Sequence, residues 1–392
     1  MYTYSLNKIL ILISSCFLII LQSLPTSAAS TKVIGYIPMW ENIVNTTNRT
    51  DLSNLTHLNL AFANPDSQGR FLNNNTPTCM SGSNADINYV VERAHQANVK
   101  VLISVAGGVI PECSGDWQTL LQPENRAQLI QQVLDFMAFY QLDGIDIDLE
   151  GVLLTSIHTS GNYVPFIREL KEQLAEGALL TAATASYEGG MIPTESLAYF
   201  DFVNIMSYDA IGPTWGQAGT EHATLDFAVE NINTWKSRGL EKDKLVLGLP
   251  FYGYGFGQYQ SDYNYSSLMT EFGEQVKDTD IIGSLCDGCS YITFNSEKTI
   301  RSKTQLALKE GSGVMIWELS QDIAGENNLL NAIQEEINGE TSQPTTDTST
   351  PTTTPSSSNS GGGSLPPAFI LVCILAAFIQ KYIQSNSKNK HQ

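Results

Sequence analysis

The chain has 392 residues and a formal net charge of −19. This length allows one large α/β domain with appended segments. The excess of acidic groups argues against nucleic acid or another anionic polymer as a partner, because such polymers would be repelled. The composition fits a neutral substrate but does not identify it.

Residues 1–29 have the features of a secretory signal peptide. Lys8 precedes an apolar run from Ile9 to Leu21, and the small residues Ser27, Ala28 and Ala29 suit a cleavage site. An uncleaved membrane anchor is the alternative, but the apolar run is short for a membrane span. We therefore expect an exported protein.

Short apolar runs alternate with helical stretches between residues 30 and 340. The predicted strands are 33–38, 57–62, 100–106, 143–149, 179–184, 202–207, 245–250 and 313–317. The predicted helices are 86–98, 124–140, 163–176, 224–238, 297–310 and 326–338. Nearly continuous Val/Ile/Leu runs are typical of buried parallel strands, and eight of them alternating with helices predict a (β/α)8 TIM barrel. A doubly wound open sheet is the alternative, but no Gly-rich phosphate loop supports it.

The predicted strand 143–149 leads into a cluster of carboxylates. The run Asp143-Gly-Ile-Asp146-Ile-Asp148-Leu-Glu150 places four acidic residues within eight positions. Because side chains alternate along a strand, Asp146, Asp148 and Glu150 share one face, whereas Asp143 lies off it at the strand's start. Three carboxylates on one face of a buried strand repel each other and lose hydration, which perturbs their pKa values. This pattern indicates a catalytic site.

Two other interpretations of the acidic run are a calcium loop and an acidic strand that arose by chance. Calcium loops need a flexible backbone with a turn glycine between the ligands, and this run is a stiff β-branched strand. Active sites of (β/α)8 barrels lie at the carboxyl ends of the strands, and Glu150 follows the fourth predicted strand. A catalytic carboxylate at that position is therefore the favoured interpretation.

Six cysteines are present, and two of them, Cys16 and Cys373, lie in the terminal apolar segments. The remaining four allow three connectivities in an exported protein. Cys286-Asp-Gly-Cys289 matches a redox motif in spacing, but nothing around it resembles a thioredoxin unit. A local bridge between Cys286 and Cys289 across the Asp-Gly turn is favoured, which leaves Cys79 to pair with Cys113.

The acidic run matches every position of the pattern Asp-x-x-Asp-x-Asp-x-Glu, and the chain thereby resembles glycoside hydrolase family 18, the chitinase-like family. The resemblance spans residues 32–338. Further matches, in chain order, are Gly35-Tyr36, Leu58–Phe62, Ser104-Val-Ala-Gly107-Gly108, Met206-Ser-Tyr208-Asp209, Gly248–Gly253 and Gly313–Glu318.

The resemblance implies a role for each member of the acidic run. Glu150 would be the general acid, and a neighbouring carboxylate would raise its pKa. Asp148 would orient the substrate's 2-acetamido group, which itself attacks the anomeric carbon in this family. Asp146 would share a proton with Asp148 through a hydrogen bond, and Tyr208 would donate to the acetamide oxygen.

Other residues are expected around this centre. Trp317 should form the apolar floor under the sugar ring. The residues predicted to bind substrate are Tyr36, Phe62, Gly107, Met206, Asp209 and Trp317, and those predicted to have structural roles are Ser104 and Asp143. Trp40, Trp117 and Trp215 fall in predicted βα loops, where plain packing is at least as plausible as further sugar binding. We expect no cofactor and no metal, since no cluster of metal ligands is evident.

Many members of the family carry an α+β insertion after the seventh strand. The region from Gly255 to Ser290 looks too short for one, so we expect a short or absent insertion and a shallower cleft. Residues 341–364 are rich in Thr, Ser, Pro and Gly and are typical of an extended linker. Residues 365–392 contain an apolar segment and a basic tail, which indicate a sorting signal or a membrane anchor.

Together these features predict an exported monomeric hydrolase that cleaves β-1,4-linked N-acetylglucosamine polymers such as chitin, with retention. An endo-β-N-acetylglucosaminidase acting on N-glycans or peptidoglycan is an alternative. From another class of protein, the alternative is a catalytically silent chitin-binding lectin, although such relatives typically lose the acid that Glu150 supplies here.

Overall fold

The computed structural model describes residues 31–325 and 327–341. The strands, in chain order, are β1 (Lys32–Pro38), β2 (His57–Ala63), β3 (Leu72–Asn73), β4 (Thr76–Pro77), β5 (Lys100–Ala106), β6 (Gly144–Asp148), β7 (Leu179–Thr184), β8 (Phe202–Ile205), β9 (Leu245–Pro250), β10 (Tyr252–Phe256), β11 (Asp262–Asn264), β12 (Ile281–Gly283), β13 (Tyr291–Phe294) and β14 (Gly313–Trp317). The α-helices are Ile43–Arg49, Asn84–Gln96, Trp117–Leu120, Pro123–Tyr140, Gly151–Thr159, Tyr163–Gln173, Leu225–Ser237, Tyr265–Phe272, Glu297–Glu310 and Leu329–Thr341.

Eight parallel strands close into a barrel in the order β1-β14-β9-β8-β7-β6-β5-β2. The predicted (β/α)8 fold is therefore confirmed, and the open-sheet alternative is wrong. Each predicted barrel strand is present with its ends within two residues; the largest difference is in β8, which ends at Ile205 and not at residue 207. The helix Gly151–Thr159 was not predicted, because it directly follows the acidic run and continues its apolar pattern without a break.

The strands are apolar on both faces because each face packs against a separate core. Ile34 and Tyr36 of β1 point into the barrel, where they join Val246 and Met315 in the inner cluster. Val33 and Ile37 point outward and pack in the layer between the barrel and its helices. Side chains alternate between the two faces of a strand, so a strand that is buried on both faces shows no alternation of polar and apolar residues.

The insertion after β9 also differs from the expectation, because it contains a small sheet and a helix. The segment between β9 and the helix Glu297–Glu310 forms a four-stranded antiparallel sheet, ordered β11-β10-β13-β12, with the helix Tyr265–Phe272. An α+β unit is therefore present in a region that looked too short for one, and of the two forms expected the insertion is short and not absent. Its strands have only three to five residues, and glycines occupy alternate positions of β10, which weakens the strand pattern in the sequence.

Both predicted disulfides, Cys79–Cys113 and Cys286–Cys289, are present. Residues 1–30 and 342–392 lie outside the described residues, so the structure does not test the predicted signal peptide, linker and apolar tail. Within the described ranges, none of the helices has the length and apolar character needed to span a bilayer.

Candidate active site

A cavity of about 670 Å³ opens at the carboxyl ends of the barrel strands. Among the side chains that line it are Tyr36, Trp40, Phe62, Asp148, Glu150, Met206, Tyr208, Asp209, Met315 and Trp317. These residues are spread over nearly the whole chain, and the barrel brings them together because its parallel strands all end at the same rim.

Asp146 lies beneath this cavity and is fully buried. It accepts hydrogen bonds from Tyr36 Oη at 2.7 Å, Ser104 Oγ at 2.7 Å, Thr181 Oγ1 at 2.5 Å and Asn204 Nδ2 at 3.4 Å. Strand register explains two of these contacts, because Ser104 of β5 and Thr181 of β7 lie directly opposite Asp146. The expected hydrogen bond between Asp146 and Asp148 is absent here, since both oxygens of Asp146 already accept from other donors.

Asp148 and Glu150 lie side by side at the floor of the cavity, and their carboxyl groups are within hydrogen-bonding distance of each other. Burial raises the pKa of Asp148 well above its usual value, and the negative charges of Glu150 and then Asp146 add to the effect. Burial, followed by the charge of Asp209, raises the pKa of Glu150 to about 7. The pair therefore retains a proton near neutral pH. The Oδ1 atom of Asp148 is buried and has no hydrogen-bond donor among the described residues.

Tyr208, three residues after β8, lines the same cavity as this pair. Its hydroxyl makes one contact, a long one of 3.9 Å to the sulfur of Met315. Burial, followed by the charge of Asp209, raises the pKa of Tyr208 well above its usual value, so the phenol stays protonated. A protonated phenol with no strong partner is a donor available to a substrate.

Asp209 is contacted by Tyr252 and His222, two residues that the sequence analysis did not assign to the site. Tyr252 Oη donates to Oδ1 of Asp209 at 2.5 Å, and His222 Nδ1 lies 3.7 Å from the same oxygen. His222 is fully buried, which lowers the pKa of its imidazole and favours the neutral ring. Asp209 itself has a φ of 63°, in the left-handed region that Asp tolerates. Asp209 is thereby held close enough to Glu150 for its charge to raise the pKa of that residue.

An aromatic wall surrounds Trp317 at the end of β14. The Phe62 ring stacks on it at 5.6 Å and 20°, and the Tyr36 and Trp40 rings lie 5.5 Å and 6.5 Å away. Gly107 permits this packing, because a Cβ there would lie 2.5 Å from the Phe62 ring and its φ is +90°. Trp317 therefore presents a fixed apolar surface to the cavity.

Two further cavities continue the central one on opposite sides. One, of about 580 Å³, shares Glu150, Tyr208 and Trp215 with it and adds Tyr187. The other, of about 270 Å³, shares Trp40, Phe62 and Val109 with it and is lined by neither Asp148 nor Glu150. The three form one groove across the barrel mouth, with Glu150 displaced toward the larger side cavity. We call these the Glu150-side cavity and the Trp40-side cavity.

Two residues considered in the sequence analysis, Asp143 and Trp117, do not line any of the three cavities. Asp143 lies outside the groove, where it accepts from the Val101 backbone N–H at 2.7 Å and pairs with His95. Trp117 is buried and donates to Asn64 Oδ1, which is packing and not sugar binding. Tyr187 was missed, although its position just after β7 follows the same strand-end rule that found Glu150.

With this geometry established, the comparisons identify the family. The profile described as "Glycosyl hydrolases family 18" matches residues 32–322. The chain therefore belongs to glycosyl hydrolase family 18. The match covers all eight barrel strands and the insertion.

Solved structures and curated proteins give the same assignment. A family 18 chitinase from the chitin utilization locus of Flavobacterium johnsoniae is 33% identical, with a TM-score of 0.69, over 80% of this chain and 96% of that one. A chitinase from Bacteroides thetaiotaomicron is 30% identical, with a TM-score of 0.69, over 81% of this chain and all of that one. Chitinase A1 of Niallia circulans is 25% identical over 76% of this chain and 57% of its own length. The chain spans less than two thirds of several curated relatives, including 16% of probable chitinase 10 of Drosophila melanogaster.

Proposed function

We propose that this protein hydrolyses β-1,4 linkages in N-acetylglucosamine polymers such as chitin, with retention of configuration and with assistance from the substrate's acetamide. The observation that carries the proposal is the buried Asp148–Glu150 pair, which lines one cavity together with Tyr208 and Trp317. The similarity to proteins named chitinases supports the choice of substrate.

The first step is cleavage of the glycosidic bond. Glu150 gives its proton to the glycosidic oxygen as the carbon–oxygen bond breaks, and its raised pKa keeps that proton available near neutral pH. The acetamide oxygen of the same sugar attacks the anomeric carbon from the opposite face and forms an oxazolinium ion. Asp148 and the hydroxyl of Tyr208 orient and stabilise that group; the support is that both residues line the central cavity.

The second step is hydrolysis of the oxazolinium ion. Glu150 is now ionised and removes a proton from water, which attacks the anomeric carbon and restores the acetamide. Each of the two displacements inverts the configuration of the anomeric carbon, so the two together retain it. No carboxylate needs to bond to the sugar, and Asp146 stays in its hydrogen-bond network throughout.

We further infer the direction of the bound chain from the residues that line the three cavities. A general acid must lie beside the leaving oxygen, between the cleaved sugar and the leaving group. Glu150 lines the Glu150-side cavity, whereas Asp148 and Trp317 do not. The leaving group therefore occupies the Glu150-side cavity, and the non-reducing part of the chain extends toward the Trp40-side cavity.

The mechanism is tested with paired substrates. Fluorogenic chitobiose glycosides should be hydrolysed, whereas matched glucose glycosides without the acetamide should scarcely react. A thiazoline analogue of the oxazolinium ion should inhibit, since it mimics the bound intermediate. Comparable kcat on the glucose analogue, or a glycosyl ester trapped on Asp148 and seen by mass spectrometry, would show a direct carboxylate nucleophile instead.

The same assay addresses the alternatives. A catalytically silent lectin would bind chitobiose without turnover. An endo-β-N-acetylglucosaminidase would release N-glycans or cleave peptidoglycan faster than chitin oligosaccharides. Product profiles on these substrates therefore separate the candidates.

We also propose export, with attachment to a surface through the C-terminal segment. The support is the sequence of residues 1–29 and 365–392, with an apolar run before a basic tail in the latter. Mass spectrometry of the native protein should show loss of the N-terminal segment and either trimming near residues 361–364 or recovery with membranes. Freely soluble protein intact to Gln392 would contradict the attachment.

A further inference from the structure

His222 connects Asp209 to a junction that lies outside the catalytic cavity. Nδ1 of His222 is 3.7 Å from Oδ1 of Asp209, and the His222 carbonyl accepts from the Ala210 N–H at 2.9 Å. The His222 N–H donates to Oγ1 of Thr293, in β13, at 3.2 Å. The segment that carries His222 is therefore fixed both to the loop after β8 and to the insertion sheet.

The next residue, Ala223, is held by two side-chain donors. Its carbonyl accepts from Asn295 Nδ2 at 2.7 Å and from Lys303 Nζ at 2.9 Å. Asn295 directly follows β13, whereas Lys303 lies in the helix Glu297–Glu310. One backbone oxygen beside His222 thus joins the insertion and this helix to the segment that contacts Asp209.

Lys303 is fully buried, which is rare for a lysine. Burial lowers the pKa of its ammonium group to about 7, although the charges of Asp280 and Glu221 oppose the change. An apolar side chain of the same length would be less costly to bury at this position. The position therefore points to a role for the hydrogen-bond donor or for the charge of Lys303.

The charge of Lys303 also acts on His222. Burial lowers the pKa of the His222 imidazole and the charge of Lys303 lowers it further, whereas contact with Asp209 raises it. A neutral His222 leaves the negative charge of Asp209 uncompensated. Burial raises the pKa of Glu150, and the charge of Asp209 raises it further. The hydrogen bond and the charge of Lys303 thus both bear on Glu150 through His222 and Asp209.

Other titratable groups face the two ends of this connection. Those near Glu150 are one carboxylate and two phenols, namely Asp148, Tyr187 and Tyr208. Those near Lys303 or His222 are two carboxylates and two phenols, namely Glu221, Asp280, Tyr252 and Tyr254. Each is present in the wild-type protein and in any Lys303 variant, so comparison of the two isolates the effect of Lys303.

We infer that Lys303 is a positioning residue for catalysis, which holds Asp209 charged and close to Glu150 by way of the Ala223 carbonyl and His222. Lys303 lines none of the three cavities, so it acts on the reaction without touching the substrate. The consequence is that Glu150 keeps its proton at a higher pH than it would without Lys303. This inference rests on the proposed function, because it takes Glu150 as the acid.

The experiment measures the pH profile of kcat/KM on a fluorogenic chitobiose glycoside. Lys303→Met removes the donor and the charge but keeps the length of the side chain, and Lys303→Gln keeps a donor without the charge. Ile300→Val is the structural control, because it shortens a fully buried side chain of the same helix. Lys309→Met is the charge control, because the Lys309 side chain is exposed on that helix.

Wild-type activity should fall as pH rises through about 7, where Glu150 loses its proton. In Lys303→Met this basic limb should move to lower pH by roughly 0.5 unit, about half of the shift of about 1 unit expected for Asp209→Asn. Lys303→Gln should give an intermediate shift, and both controls should keep the wild-type limb. Added to Asp209→Asn, Lys303→Met should move the limb no further, because the charge through which it acts is gone.

A basic limb that stays in place in folded Lys303→Met, or moves to higher pH, would overturn the inference. So would an equal shift in Ile300→Val, which would show an effect of packing alone, or a full additional shift in the Asp209→Asn background. Thermal melting identifies any variant that does not fold. If Lys303→Met is such a variant, Lys303→Gln carries the test, and an unmoved limb there overturns the inference.

Failure of the proposed function is a different result, in which the wild-type protein does not hydrolyse the glycoside at any pH. Infrared titration then measures the protonation of Glu150 directly, through the carboxyl band that Glu150→Gln removes. The midpoint of that band should move to lower pH in Lys303→Met. An unmoved midpoint would overturn the inference independently of turnover.

Discussion

The carboxyl groups of Asp148 and Glu150 are within hydrogen-bonding distance of each other, whereas Asp146, two residues earlier on the same strand face, is bonded to donors from four other positions in the barrel. The strand period brings all three to one face. Their partners distinguish them, because Asp146 has no free oxygen, while Oδ1 of Asp148 has no hydrogen-bond donor among the described residues.

The assignment of Glu150 predicts that Glu150→Gln removes activity but not binding. The amide keeps the shape of the side chain but has no proton to donate, so kcat should fall by about 10²–10⁴-fold or more. Oligosaccharide affinity, measured by calorimetry, should be retained. Asp143→Asn is a matched control in the same acidic run, and it should lower the melting temperature with little change in kcat. Glu150→Gln with more than roughly a tenth of wild-type kcat would rule out Glu150 as the acid.

The pH dependence of kcat/KM should report the raised pKa of Glu150. Activity requires the protonated acid, so it should be present at acidic to neutral pH and be lost as pH rises through about 7. The negative charge of Asp209 raises that pKa. Asp209→Asn should therefore move the basic limb of the profile to lower pH. A limb that stays in place would show that Asp209 does not act on Glu150 through its charge.

Trp317→Ala should fold but weaken both binding and turnover, because the indole contacts the sugar in the ground state and in the transition state. We expect a loss of roughly tenfold in affinity for chitotriose, which corresponds to about 1.4 kcal/mol. Trp317→Phe keeps an aromatic face and should lose less. Unchanged chitotriose affinity of Trp317→Ala in calorimetry would show that the ring is not the floor of the sugar site.

Two neighbouring glycines should respond differently to alanine. A Cβ at Gly108 would lie 2.9 Å from Oε1 of Glu150, the end of a flexible side chain. Gly108→Ala should therefore fold normally and displace the acid, with kcat reduced by roughly 10- to 100-fold. Gly107→Ala meets the Phe62 ring and a φ of +90°, so it should cost about 1–3 kcal/mol of folding stability. Chemical denaturation and enzyme kinetics of the two variants check this contrast. It fails if both substitutions lower only the folding stability, or if both lower only kcat.

The local chemistry of this protein is determined by its sequence alone. The period of the run from Asp143 to Glu150 predicts which carboxylates share a face, because strand geometry depends only on neighbouring residues. The eight apolar runs predict the barrel, and the barrel predicts that Glu150 lies at its mouth. The Asp-Gly turn between Cys286 and Cys289 is likewise enough to favour the local disulfide.

The tertiary structure decided which distant groups meet. Tyr36 is 110 residues from Asp146, and Tyr252 is 43 residues from Asp209, so no local pattern could reveal that these hydroxyls satisfy those carboxylates. The insertion sheet was missed for a related reason, since its short strands are stabilised by pairing and packing and not by propensity. The Trp40-side cavity likewise exists only where two loops are joined across the barrel rim, because a cavity is a property of surfaces that folding brings together.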